Sequence, residues 1–256
     1  MSLKVLSYNI LRGGEGREKQ IGAVINACGP DLVIFQEAYS AAVVAELASA
    51  CGMPNWAAST GHSVGFISKL QVASHVWRRV RWAKRAYLEL VLAESGFRIF
   101  GVHLSAVHSN LTEQRRAYEV RALLKSVERH QNGLHLVTGD FNTLAPDERL
   151  DMRRLPPHIR AFAFITGKTI RWVTVRMMLE AGYADAYRVL HPSGEGNTFP
   201  TTDPHVRLDY AFVPDGFKER VTSCNVRRDI PAARDASDHF PLLTELNIGD
   251  SALEIE

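Results

Sequence analysis

The sequence predicts a layered α/β or α+β domain, and three observations carry that expectation. Segments with the alternation or continuous apolarity of strands are interleaved with segments of helical period. A chain of 256 residues that is 46% hydrophobic and 23% charged can bury a large core. No Gly/Ser-rich or Pro-rich tract, internal repeat or low-complexity run divides it, so one domain spanning 1–256 is expected. Mixed elements over that length bury their apolar faces by stacking in layers.

The elements follow in order. MSLKVLSYNI alternates as a strand does and contains no signal-peptide apolar region, and no run approaches the length of a membrane span. A soluble, cytoplasmic chain is therefore expected. REKQIGAVINACGP sets Ile21, Val24 and Ile25 on one helical face, and Gly29-Pro30 supplies its stop. DLVIFQE reads as a strand, and SAAVVAELASACG as a short Ala-rich helix ended by Gly52. HSVGFIS, AYLELVLAES and FRIFGVHLS are strand-like. LTEQRRAYEVRALLKSVERH is the long helix, with Leu111, Val120, Leu123, Leu124 and Val127 as its apolar stripe, and it leads into LHLVTGD. TVRMMLEAG then reads as helix, and VRLDYAFV, TSCNVRR and FPLLTELNI as strands.

Charge and cysteine content narrow the function only by exclusion. The net charge of +2, from 30 basic and 28 acidic residues, does not announce a polyanion partner. Cys28, Cys51 and Cys224 are odd in number and widely spaced, which argues against a zinc site or a disulfide framework and for reduced bystanders. Gly13, Gly14 and Gly16 in RGGEGR fit neither the dinucleotide nor the Walker spacing and read as loop.

The informative pattern is where polar residues interrupt apolar strands. Asn9 ends VLSYN, Glu37 ends LVIFQE, His103 ends FRIFGVH and Asp140 ends HLVTGD. Along an extended chain side chains two apart point the same way, so Asp140 and Asn142 would project together. Asp209 sits inside a strand, and Asp238 and His239 precede another apolar run. Each has an ordinary alternative. Asn9 could end a strand, His103 could be a satisfied core histidine, and Asp238 could bond its own backbone. Taken jointly, unpaired buried acids are costly, and several strands ending in acids and amides call for something that gathers them, such as a divalent cation.

In order along the chain, SYNI, QE, VHL, GDFN, RLDY and SDHFPL resemble the endonuclease/exonuclease/phosphatase superfamily, the DNase-I-like proteins. The resemblance implies a four-layer α/β sandwich, two packed and mainly antiparallel sheets flanked by helices, with the site at one edge and metal-dependent cleavage of phosphate esters. It also implies roles for individual residues. Asn9 and Glu37 would be the primary metal ligands, with Asp238 completing or supporting the site through water. An all-oxygen donor set favours Mg²⁺, with Mn²⁺ able to substitute. Asp209 and His239 would form the Asp-His pair, the carboxylate fixing the imidazole tautomer and His239 serving as general base or proton shuttle. Asp140 would orient and help deprotonate the attacking water, Asn142 would bind a phosphate oxygen, and His103 would donate to the scissile phosphate. Arg115 and Arg116 stand where related phosphoesterases often place an arginine near the phosphate, the alternative being a solvated helix face.

Two basic, aromatic-bearing stretches bear on the substrate. One is VWRRVRWAKRAY; the other, from Arg149 to Arg176, holds seven basic residues against one acidic and includes Arg153, Arg154, Arg160 and Lys168. Both could meet a nucleic-acid backbone, or could be solvated faces. Phe162, Phe164 and Ile165 in the second could instead touch lipid. The resulting expectation is a Mg²⁺-dependent phosphodiesterase acting on nucleic acid, with no obligate protein partner. A sphingomyelinase-type lipid phosphodiesterase or another phosphatase is the alternative, and a catalytically silent nucleic-acid or protein-binding relative the third reading.

Overall fold

Ser2–Asn9 forms the first strand, β1, with Leu3 and Val5 turned toward one apolar cluster and Leu6 and Tyr8 toward another. That two-sided burial is what a strand between two layers requires. The structure is a computed structural model that describes residues 1–79, 85–107, 109–146, 148, 150–154, 157, 160–161 and 171–249.

β1 joins β2 (Leu32–Gln36), β3 (Asn55–Ala57), β4 (Val64–Ser68), β11 (Val221–Val226) and β12 (Leu242–Asn247) in a sheet ordered β11-β12-β1-β2-β4-β3. β5 (Val72–Arg79), β6 (Ala86–Leu92), β7 (Arg98–His103), β8 (His135–Asp140), β9 (Tyr183–Asp185) and β10 (Asp209–Pro214) make the second sheet, ordered β5-β6-β7-β8-β10-β9. Leu3, Val5, Ile34 and Phe66 from the first sheet meet Leu88, Leu90, Ile99, Leu136 and Ala211 from the second in the central core. α1 (Glu18–Cys28) and α2 (Ala41–Ala50) cover the outer face of the first sheet, through Ile21, Val24, Val44 and Leu47 against Leu6 and Phe35. α3 (Asn110–Val127) and α4 (Thr174–Glu180) cover the second, through Val120, Leu123, Val175 and Met178 against Phe100 and Phe212. The result is the four-layer sandwich of two mainly antiparallel sheets that the sequence led us to expect.

Local signals account for most boundaries. Gly29 ends α1 in the left-handed conformation, with φ 59°. Ser40 caps α2 by accepting from the Val43 N–H, and Ser109 and Thr112 form a capping box on α3. β3 and β9 escaped the sequence reading because three residues are too few to show a period. β5 escaped it because most of its residues face solvent.

The phase of α3 is a correction. Leu111, expected in the apolar stripe, is 63% exposed. Nine residues separate it from Val120, about half a turn on a 3.6-residue helix, so it points away from the sheet. The inward face of the first two turns carries Glu113 and Arg116 instead.

Two parallel pairs place the site. β1 and β2 run parallel with Asn9 opposite Gln36, and β7 and β8 run parallel with His103 opposite Asp140. Parallel partners end at the same edge, so each pair delivers its polar C-terminal residues side by side. Antiparallel β10 then brings Asp209 opposite Asp140. Gly139 makes the β7–β8 approach possible: its φ is 149°, and a Cβ there would lie 1.9 Å from the Val102 carbonyl oxygen. The three cysteines are buried and free, and burial pushes the Cys28 and Cys224 thiols up to about 12. Among the described residues no helix is long and apolar enough to cross a membrane.

Candidate active site

Asp140, only 1% exposed, is the hub. Its Oδ1 accepts the Asn142 backbone N–H at 2.8 Å, and its Oδ2 accepts from Asn142 Nδ2 at 2.9 Å and from Asn9 Nδ2 at 3.0 Å. Asn142 can turn back in this way because it adopts φ 52°, a region asparagine tolerates. Its amide also donates to the Leu104 carbonyl at 3.2 Å, so in this structure it serves the loop rather than projecting freely. The Nε2 atoms of His103 and His239 lie 3.8 and 3.9 Å from Asp140 Oδ2.

His239 comes from the loop before β12. Its Nδ1 donates to Asp209 Oδ2 at 2.8 Å, which fixes the tautomer and turns Nε2 toward Asp140. The Asp209 backbone N–H is held by Thr198 Oγ1 at 3.3 Å, and the Phe199 ring packs 4.9 Å from the imidazole. Asp209 Oδ1 is buried and has no hydrogen-bond partner among the described residues.

Charge is distributed unevenly. Burial disfavours protonated His239, but the carboxylates of Asp209, Asp140 and Asp238 outweigh it and raise its pKa to about 10. Burial pushes Asp140 up to about 7; the His239 charge opposes that rise and the Asp209 charge adds to it. His103 goes the other way: burial, then the charges of Arg85 and His239, hold it well below the usual imidazole range.

The expected metal ligands lie on loops held by hydrogen bonds of their own. Asn9 Oδ1 accepts the Leu11 N–H at 3.0 Å, and Glu37 Oε2 accepts the Arg12 N–H at 2.6 Å. Ser237 Oγ donates to the Asn9 carbonyl at 2.6 Å and lies 3.4 Å from Asp238 Oδ1, tying the Asn9 and Asp238 segments together. Arg17 adds a second tie, donating to the carbonyls of Ile10, Leu11 and Ala236. Leu11 and Arg12 (φ 50° each) and Glu37 (φ 58°) occupy backbone conformations that non-glycine residues rarely adopt. Such strain gathers where function over-determines geometry. The donors Asn9, Glu37 and Asp238 are all hard oxygens, which fits Mg²⁺ or Mn²⁺. Among the described residues no group of three or more His, Cys, Asp or Glu could hold a metal, so a cation here would draw on the Asn9 amide oxygen and water as well.

The arginines expected at the substrate part company. Arg116 is a correction: it is fully buried, bound to Glu113 Oε2 at 2.8 and 3.0 Å and to the Ser105 and Val107 carbonyls at 2.7 and 2.9 Å. It occupies neither a phosphate site nor a solvated face, because it shares the inward face of α3 with Val120. Arg115 is exposed on α3. Arg153 and Arg154 are exposed in a short 3₁₀ turn, with Arg154 ion-paired to Asp203 at 3.2 Å. Arg160 is exposed as well. Arg149, Lys168, Phe162, Phe164 and Ile165 lie outside the described residues, and with them the apolar element of the lipid reading. In the first basic stretch Arg78 is paired with Glu89, 80–84 lie outside the described residues, and Arg85 reaches His103.

Sequence reasoning did not single out Arg17, Ser237 or Glu113, and it reached Arg85 only as part of the basic stretch VWRRVRWAKRAY. Of the first three, Glu113 alone carries a local signal, an acid in the first turn of a helix.

A four-layer sandwich that delivers Asn, His and Asp from adjacent strand ends to one edge defines the DNase-I-like class. Residues 6–239 match the model of the Endonuclease/Exonuclease/phosphatase family, and the chain belongs to that family. Among solved structures it is similar to an AP endonuclease from Archaeoglobus fulgidus, with a TM-score of 0.73 at 16% identity over 96% of this chain and 99% of that one. A 3′ phosphatase, NExo, from Neisseria bound to a product DNA hairpin gives 0.70 at 18% identity, covering 96% and 99%. D. rerio TDP2 complexed with a single-strand DNA product gives 0.70 at 16% identity, again covering 96% and 99%. At these identities the likeness is one of fold. No curated protein sequence matches the chain at a significant level.

Proposed function

We propose that the protein is a hydrolase that cleaves phosphodiester bonds of nucleic acid by attack of an activated water, using Mg²⁺, or Mn²⁺ in its place, held by Asn9, Glu37 and Asp238. The observation that carries this reading is the buried array Asp209–His239–Asp140–Asn9, assembled from both sheets, hydrogen-bonded at its two ends and leaving a 3.9 Å gap between His239 and Asp140. His239 Nε2 and Asp140 Oδ2 are 3.9 Å apart, close enough for one water to touch both. Asp140, raised toward neutrality by burial, accepts the proton that water loses, while His239, oriented by Asp209 and charged beside these carboxylates, serves as the proton shuttle. His103, held neutral, donates a hydrogen bond to the phosphate without bringing a second cation against His239. Asn142 completes the cradle, with its amide hydrogen bonds re-formed to a phosphate oxygen. The bound metal ion would supply the positive charge that stabilises the developing charge on the phosphate oxygens.

Family membership supports the phosphoesterase class, and the DNA-bound fold neighbours support nucleic acid. The reading includes a single-domain chain that works in the cytoplasm without an obligate protein partner. The test is a panel of single- and double-stranded DNA, RNA, sphingomyelin and a phosphomonoester, with Mg²⁺ or Mn²⁺ supplied and then chelated. Cleavage of nucleic acid that stops on chelation is expected. Undiminished hydrolysis in excess chelator overturns the metal, and faster turnover of sphingomyelin than of any nucleic acid overturns the substrate.

A further inference from the structure

The structure sets one cation of the basic stretch VWRRVRWAKRAY in the site. Arg85 is half-buried immediately before β6, and its Nη1 lies 2.7 Å from His103 Nε2 and touches Nδ1 as well. The same nitrogen reaches to 3.5 Å from the Tyr39 hydroxyl. Tyr39 is anchored beside the expected metal ligand, its backbone N–H donating to the Glu37 carbonyl at 2.8 Å. Arg85 therefore stands between the Glu37 loop and the His103 end of β7, on the edge where the reacting phosphate must lie.

What Arg85 lacks, among the described residues, is an acid. Arg78 is paired with Glu89, Arg116 with Glu113, and Arg207 with Glu148 and Asp185. Among the described residues, no Asp or Glu forms an ion pair with Arg85. Its neighbours are a buried imidazole and a phenol, and its hydrogen bonds to described residues all run through Nη1. A guanidinium drawn partly out of water without a counter-ion is unfavourable for the protein alone. The cost is offset when a ligand supplies the anion, and the Nε/Nη2 edge of a guanidinium matches two oxygens of a phosphoryl group.

We propose that Arg85 is a substrate-binding residue that clamps the non-bridging oxygens of the phosphate under attack, beside His103; this rests on reading the site as that of a nucleic-acid phosphoesterase. The arrangement assigns Arg85 the phosphate role that Arg116, committed to Glu113, cannot fill.

The experiment compares wild type, Arg85→Ala, Arg85→Lys and the surface control Lys218→Met on a single-stranded oligonucleotide with Mg²⁺, alongside calorimetric titration with inorganic phosphate and thermal unfolding. Arg85→Ala is expected to lower kcat/KM by about 100-fold, the loss of a charge-assisted bidentate contact. Arg85→Lys should recover only part, since an ammonium cannot bond bidentately. Low-millimolar guanidinium should partly rescue Arg85→Ala, phosphate affinity should fall with the side chain, and melting should not move because no ion pair to a described Asp or Glu is lost. Lys218→Met should match wild type. An active wild type with an unchanged Arg85→Ala overturns the proposal while leaving the phosphoesterase reading intact. A loss that tracks lowered melting and resists guanidinium overturns it in favour of a structural role. A wild type inactive on every phosphoester sinks the underlying reading; the phosphate titration then decides Arg85 by itself, and equal affinity in wild type and Arg85→Ala overturns the clamp.

Discussion

Replacing Arg116 with methionine should destabilise the fold rather than weaken substrate binding. The guanidinium and the Glu113 carboxylate are 0% and 2% exposed and meet at 2.8 Å. Removing the arginine leaves that carboxylate buried without a counter-ion and takes donors from the Ser105 and Val107 carbonyls. Breaking a buried pair from one side costs about 3–5 kcal/mol. In a chain of this size each kcal/mol moves the melting temperature by about 2–4 °C, so a fall of roughly 6–20 °C is expected. The deficit should also depend on pH. Burial works to raise the Glu113 pKa, but Arg116 and the donors from Thr174 and Val173 outweigh it and hold it below the usual value. In wild type this carboxylate contributes stability above its unfolded pKa that is lost as pH falls. Without Arg116 the burial effect dominates and the pKa rises, so the variant regains ground on wild type as pH drops from 7 toward 5. Urea unfolding at both pH values measures this, and Glu113→Gln combined with Arg116→Met closes the double-mutant cycle. A loss under about 1 kcal/mol, or one equal at both pH values, would refute the reasoning. A raised KM with unchanged melting would return Arg116 to the substrate.

Asp209→Ala and His239→Ala should each lower kcat by roughly 10²–10⁴-fold and the double variant by little more, because the pair acts as one unit; additive losses in steady-state kinetics would separate them. His135, whose Nδ1 donates to the Gly133 carbonyl at 2.9 Å and whose Nε2 lies 2.8 Å from the Tyr183 hydroxyl, is lowered by burial to about 4. Its stabilising contribution, on the order of 3 kcal/mol, is full above pH 6.5 and lost as pH falls toward 4, so His135→Gln should flatten the stability–pH curve in that window; an unchanged slope would show that the imidazole titrates freely. Arg153→Ala with Arg154→Ala should reduce the salt slope of DNA affinity by roughly one to two units, and an unaltered slope in a filter-binding titration would place the backbone contact elsewhere.

The strand ends illustrate what a linear chain can reveal. Asn9, Glu37, His103 and Asp140 were legible because each breaks an apolar run, and a run of five or six residues suffices to show that break. What they do together was not legible from spacing. Asn9 and Asp140 are 131 positions apart and hydrogen-bond only because β1 and β8 face each other across the central core. Arg17, holding the carbonyls of the Asn9 and Ala236 segments, looks like any other arginine in a one-dimensional string, and Arg85, without an acid partner among the described residues, is not told apart there from the other basic residues of its stretch.

The sequence by itself determined the kinds of element, the four-layer class through its family resemblance, and the residue types available to the site. Those depend on local period and side-chain chemistry, which adjacent residues carry. Only the tertiary structure decided phase and register. It turned Leu111 outward and Arg116 inward on α3, set His103 and Asp209 each opposite Asp140, and left Arg85 facing His103. The physical reason is that one residue of register, or a third of a helical turn, sends a side chain to a different environment at little local cost, so the choice is made by long-range packing between sheets.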